Sequence, residues 1–257
     1  MTRTWIALGA FAVVLGISGA ANAQSATGGT FGQRGQFILG GERLTGYYSY
    51  TVKSKIDQPG PNNSTVTVDV ETSGSQLAFL WAPSNAGTGS VLGVNPASIP
   101  RIGGDYMLTE LISLGGSLGY FSSSSSTKSG GVSVDNPTLG GFALAPRVGF
   151  AIKLNDVIAF WPRVGLTYFQ ATVESKGGTG ATARTSTAKF SGIDAVAEGY
   201  FVISPVANFG FGVAPLIELP LSGTFKTETS VGNTTTTTSY DTKLQNIGIT
   251  AGVLGYF

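Results

Sequence analysis

Over much of its length the chain places an apolar side chain at every second residue and a small or charged one between. In "FALAPRVGFAIK", residues 142 to 153, Phe142, Leu144, Pro146, Val148, Phe150 and Ile152 hold one parity, while Ala143, Ala145, Arg147, Gly149, Ala151 and Lys153 hold the other. Successive side chains of a strand point to opposite faces, so a period of two predicts strand. The same pattern predicts strands over 112 to 123, 157 to 173, 190 to 203, 206 to 222 and about 242 to 257. Each holds the alternation well beyond the ~5–6 residues of an average strand. A tilted strand needs ~9–11 residues to cross a bilayer, and these suffice.

The connections alternate as well. Short ones, "TEL" at 109 to 111, "LND" at 154 to 156 and "SPVA" at 204 to 207, are interleaved with long ones, "SSSSSTKSGGVSVDNPT", "ESKGGTGATARTSTA" and "SGTFKTETSVGNTTTTTSYDT". Tight turns on one rim and long loops on the other are the pattern of an antiparallel meander closed in a membrane. A soluble sandwich or lipocalin-like barrel fits the alternation too, but its wet face would be poor in Lys and Glu.

The first quarter is less regular. Strand one runs from about Gly35, and the adjacent Glu42 and Arg43 cannot both face inward without a bulge, for which Gly40 and Gly41 offer a place. "STVTVDVET" follows the turn cluster "DQPGPNN", and Lys53 and Lys55 are placed to pair across this hairpin with Asp69 and Glu71. Strand one and the upper part of strand two then project beyond the membrane, "PSNAGTGSVLGVNPASIP" interrupts, and "RIGGDYML" re-enters. The expected fold is all-β, an antiparallel up-and-down transmembrane β-barrel over residues 34 to 257. Eight strands fit best; ten, with residues 76 to 82 as a separate spanning strand, is the alternative.

Composition narrows the chemistry. The 257 residues include 38 Gly, no Cys and no His, with a formal net charge of +1. Near-neutrality gives no basis for nucleic acid as a partner, and the lack of Cys excludes intramolecular disulfides. Arg3 precedes the apolar run "WIALGAFAVVLGISGA" and the small-residue pattern "ANA", so residues 1 to 23 are expected to be a cleaved secretory signal, against the alternative of a retained anchor. Residues 24 to 33 read as a flexible lead-in.

If the apolar parity faces lipid, the other parity brings Glu42, Arg101, Asp105, Arg147, Lys153, Arg163, Asp194, Glu198 and Glu218 into the lumen. An eight-stranded barrel has an interior just wide enough to be filled by side chains, and charges buried there must be paired. Arg147 and Arg163 are therefore expected to meet Glu198, Asp194 or Glu218 in a network that plugs the barrel, with inner Gly and Ala leaving room. Asp194 and Glu198 share a strand face and could serve as acid and base, but ion pairing accounts for them better. No G-x-S-x-G elbow, P-loop or metal-binding Cys/His spacing is present. Tyr47, Tyr48, Tyr106, Tyr120, Tyr168, Trp81 and Trp161 are girdle candidates, although Trp161 has inward parity.

The segment "NIGITAGVLGYF" alternates apolar residues up to an aromatic end. It resembles the terminal signal of bacterial outer-membrane barrels that the barrel-assembly machinery reads, with Tyr256 and Phe257 matching the aromatic end. Taken with the signal-like start and the turn and loop alternation, the chain resembles the small, eight-stranded class of outer-membrane β-barrels. That resemblance implies a bacterial outer-membrane location, a monomer, no cofactor, and outer-membrane lipid, lipopolysaccharide and the assembly machinery as partners, with an extracellular ligand open. Barrel enzymes that resemble this architecture use a His, which this chain lacks. Two functions are expected: a non-enzymatic barrel serving envelope structure or surface interaction, or a narrow pore or carrier for small or hydrophobic solutes.

Overall fold

Long strands dominate the computed structural model, which describes residues 30–59, 64–80, 95–124, 126–129, 132–177 and 184–257. The expected signal, most of the lead-in and Trp81 lie outside the described residues. The strands are β1 (Phe37–Pro59), β2 (Thr65–Phe79), β3 (Arg101–Met107), β4 (Ile112–Ser123), β5 (Ser126–Ser129), β6 (Val132–Asp135), β7 (Thr138–Phe150), β8 (Ile152–Lys153), β9 (Ile158–Gly177), β10 (Arg184–Val206), β11 (Phe209–Val231) and β12 (Thr234–Tyr256).

Antiparallel pairing runs β1, β3, β4, β7, β9, β10, β11, β12 and back to β1, so the sheet closes on itself. The ring has eight positions because β2 and β3 share one. β3 pairs with the foot of β1 from Phe37 to Glu42, and β2 pairs with its upper length from Thr45 to Pro59. The ten-strand alternative is thereby excluded: residues 76 to 79 are the foot of β2. Between the two half-strands, Asn95 to Ile99 dip inward as a buried turn around Pro96–Ser98.

The expected long loops at 174 to 188 and 222 to 242 are instead mostly strand. β9 and β10 stay paired from Gly177 and Arg184 inward, and β11 and β12 stay paired up to Val231 and Thr234. Twenty-three residues at ~3.3 Å each reach roughly 75 Å, far more than a bilayer crossing needs, so these ribbons rise well beyond the membrane. The tight turn predicted at 204 to 207 sits at Ala207 and Asn208, where Asn208 supplies the left-handed φ of 65°.

Alternation decides the faces. Leu114, Leu118, Leu144, Val164, Leu166, Ile193, Ile217, Leu219, Ile247 and Ile249 stand exposed on the outside of the ring. Tyr47, Tyr106, Tyr120 and Tyr168 are exposed beside them, whereas Tyr48 and Trp161 are fully buried inside. An exposed apolar belt of this extent on a closed barrel is a lipid-facing surface. Inside, the filling is tiered. Near the tight turns lies an aromatic tier of Phe31, Ile38, Met107, Trp161, Tyr200, Leu254 and Tyr256; toward the ribbons lies an apolar tier of Val52, Ile99, Phe121, Leu139, Phe169, Phe190, Phe225 and Leu244. Phe31, expected within a flexible lead-in, is buried with its ring 5.2 Å from Trp161 and 5.7 Å from Tyr256. Gln36 holds that segment by accepting from the Gly32 amide at 2.8 Å.

Candidate functional site: the lumen charge network

Between the two apolar tiers, β1 crosses the lumen's mid-level with two consecutive charged residues turned inward. Glu42 and Arg43 are both 1% exposed. The bulge needed for this is present as a register shift between Gly41 and Thr45, with Arg43 at φ 55°. A non-glycine residue held there costs local conformational energy, offset by what its guanidinium reaches. Arg43 donates through Nη2 to Glu198 Oε1 and through Nη1 to Glu218 Oε1, both at 2.7 Å, and to the Ala97 carbonyl at 3.1 Å. Sequence reasoning left Arg43 out of the lumen set; the signal was its place beside Glu42 and the paired glycines.

From Glu42 the network runs both ways. Arg147 grips it bidentately, Nη1 to Oε2 at 2.7 Å and Nη2 to Oε1 at 2.6 Å, while also donating to both oxygens of Asp105. Arg163 donates to Glu42 Oε1 at 2.7 Å and to Glu198 Oε2 at 2.6 Å, and its guanidinium lies 3.8 Å from the Tyr200 ring centroid. Arg101 completes the series, 3.6 Å from Glu218 Oε1 and donating to Thr167 Oγ1 and the Pro96 carbonyl. In order, Asp105, Arg147, Glu42, Arg163, Glu198, Arg43, Glu218 and Arg101 form a chain of alternating sign across the barrel.

Arg147 was expected to reach Glu198, Asp194 or Glu218, and the register explains its actual choice. Arg147 and Asp105 both lie opposite Gly115, which has no side chain to separate them. A Cβ built on Gly115 meets Asp105, one on Gly103 meets Glu42 and Arg147, and one on Gly165 meets Arg147. Arg163 does reach Glu198, its direct cross-strand partner.

Two expected members stand apart. Lys153 is exposed, because β8 ends there and the turn before Ile158 carries it into water at the rim. Asp194 is buried at 1% exposure, yet neither carboxylate oxygen has a hydrogen-bond partner. It lies opposite Thr167 on β9 and, past a register shift, opposite Pro220 on β11, so neither ladder sets a cation across from it. Of the terminal aromatics, Tyr256 is buried in the mouth and donates its hydroxyl to the Phe209 carbonyl at 3.1 Å. The Phe257 backbone exchanges two 2.9 Å hydrogen bonds with Phe37, closing the seam between β12 and β1.

The terminal guanidinium nitrogens and the carboxylates neutralise one another, while the Nε atoms of Arg43, Arg101 and Arg163 stay without a partner among the described residues and a small cavity remains between Arg43, Arg101, Arg147, Arg163 and Glu198. Trp161, Arg43 and Arg163 are the bulkiest fully buried side chains among the described residues. Taking such charges out of water is costly, so the arrangement adds little net stability over an apolar filling, but removing one partner costs about 3–5 kcal/mol. What it supplies is mutual dependence among the strands that carry it.

No protein-family model matches the sequence, and no curated protein matches it. Among solved structures it is similar to the attachment invasion locus protein Ail of Yersinia pestis, at 11% identity and a TM-score of 0.36, covering 86% of this chain and 99% of that one. It is also similar to the outer membrane protein OprG of Pseudomonas aeruginosa, at 10% identity and a TM-score of 0.48 over 88% and 97% of the two chains. The outer membrane protease OmpT of Escherichia coli is similar at 10% identity and a TM-score of 0.36, over 86% and 97%. At these identities no activity passes from them to this chain.

Proposed function

We propose that this outer-membrane barrel is closed and non-enzymatic, that it serves envelope structure, and that it carries its long ribbons outward as a surface for interaction. The observation that carries the reading is the alternating chain from Asp105 to Arg101 filling the mid-lumen, with an aromatic tier below it and an apolar tier above. Ions crossing the barrel would have to displace paired charges and packed rings together. In this reading the surrounding lipid and lipopolysaccharide and the assembly machinery acting on Tyr256 and Phe257 are its standing partners, and an extracellular ligand would meet the ribbons. Purified barrel refolded into a planar bilayer should give no sustained current, and loaded vesicles should not swell in small sugars. Steady conductance or solute flux would overturn closure.

One observation favours a carrier of hydrophobic solutes as a second reading. Among the described residues β2 pairs with β1 alone, and between its end and the start of β3 the buried turn Asn95 to Ile99 lies inside the wall, where Ile99 joins the apolar tier. Displacing that turn would open a side route for an apolar molecule. Uptake of a fluorescent hydrophobe into vesicles, without ionic current, would support this reading over the first.

A further inference from the structure

Four successive strands carry an outward lysine at matching heights above the lipid belt. On β10, β12 and β1 the parity is set by buried neighbours: Phe190 beside Lys189, Thr242 and Leu244 beside Lys243, Val52 and Ser54 beside Lys53. On β11, Phe225 does the same for Lys226. Below them the last exposed apolar residues are Ile193, Leu221, Ile247 and Tyr47, and Ser191, Thr224, Gln245, Ser49 and Thr51 fill the outward steps between. Four to six residues along a tilted strand rise roughly 10–15 Å, which sets the lysine backbone just above the headgroup layer of about 5–8 Å that flanks the hydrocarbon core, within reach of a long side chain turned toward it.

The register sharpens the observation. Lys189 lies directly opposite Lys226, and Lys243 directly opposite Lys53. Like charges facing each other across a strand pair are destabilising, and here two such pairs sit on adjoining hairpins. The nearby carboxylates relieve them only in part. Lys226 pairs with Glu228 and Lys53 with Glu71, while among the described residues Lys189 and Lys243 make no ion pair. Glu228 and Asp241 lie one outward step farther from the belt than Lys226 and Lys243.

We infer that Lys189, Lys226, Lys243 and Lys53 form an arc that binds the phosphate groups of outer-leaflet lipids, each like-charge pair sharing an anionic headgroup. The inference rests on the membrane-barrel reading and is independent of whether the lumen is closed. It accounts for the position of the lysines at the end of the apolar belt and for their tolerance of one another.

The test compares the wild type with Lys189→Gln/Lys243→Gln, which removes one member of each pair. Lipid binding is read by native mass spectrometry of refolded barrel with diphosphorylated lipid A and with its dephosphorylated form, and stability by urea unfolding in phosphatidylcholine vesicles. A lysine near an anionic lipid surface is worth about fivefold in affinity, so the double variant should bind lipid A roughly 25-fold more weakly. In phosphatidylcholine alone it should be at least as stable as wild type, since two repulsions are gone. Lys153→Gln/Lys176→Gln, with equal charge removed elsewhere, should bind lipid A as wild type does. Unchanged binding by Lys189→Gln/Lys243→Gln overturns the proposal. So does equal binding of the dephosphorylated lipid, or equal stabilisation by inorganic phosphate at the same phosphate concentration.

Discussion

Replacing Arg147 with Met removes the cation that holds two buried carboxylates. The side-chain volume is largely kept, so packing changes little, but Asp105 loses its two hydrogen bonds from Arg147 and Glu42 is left with Arg163. Breaking a buried pair while its partner stays charged costs about 3–5 kcal/mol. At an m of about 2 kcal/mol per M, the urea midpoint should fall by roughly 2 M. The second substitution Asp105→Leu leaves Arg43, Arg101 and Arg163 facing Glu42, Glu198 and Glu218, three charges of each sign. The double variant should therefore recover most of the loss, giving a coupling of about 2 kcal/mol or more. Unfolding would be followed by tryptophan fluorescence and by the gel shift between heated and unheated protein. Neither variant should conduct, because the aromatic and apolar tiers remain. A single-variant cost under about 1 kcal/mol, or a double variant as unstable as the summed singles, would refute the coupled network.

Further predictions follow from individual contacts. Asp194→Asn, which removes the carboxylate lacking a partner, should leave urea stability unchanged or raise it, whereas Glu198→Gln should lower it by about 3 kcal/mol because Arg43 and Arg163 both depend on Glu198. Gly103→Ala should cost about 1–3 kcal/mol, since its methyl would fall on Glu42 and Arg147. Phe31→Ala should cost about 3 kcal/mol and red-shift tryptophan emission by opening the mouth beside Trp161. Glu71→Gln, breaking an exposed 3.4 Å pair with Lys53, should change stability by no more than about 0.5 kcal/mol.

How much of this could be read from the chain depends on which faces are wet. In the belt, one face meets lipid and the other the lumen, so Ile158 to Tyr168 or Ile247 to Val253 show an alternation that fixes strand, face and approximate length. The shared position of β2 and β3 was also legible, from the interruption between "STVTVDVET" and "RIGGDYML". Above the membrane the contrast fades. Thr234 to Ser239 and Thr185 to Thr187 show no apolar period, yet β-branched Thr suits a strand, and the ladder simply continues through them. The lumen set was legible as parity, but its partners were not. Arg147 finds Asp105 because Gly115 separates them by nothing, and Arg43 turns inward through a bulge whose direction depends on distant carboxylates. Phe31 carried no periodic signal because a single plug residue has no period.

The chain of charges also bears on how the barrel comes into being. Its members come from β1, β3, β7, β9, β10 and β11, and Glu42 and Arg43 of the first strand reach carboxylates or guanidiniums on four other strands, β7, β9, β10 and β11. A ribbon built from β4 to β11 alone would hold Arg147 without Glu42 or Asp105, and Glu218 without Arg43. Such a half-built sheet would have to keep its inner face in water or in contact with another protein. Ring closure and burial of that face are then one event, and partly assembled intermediates should be short-lived unless something outside the chain shelters them.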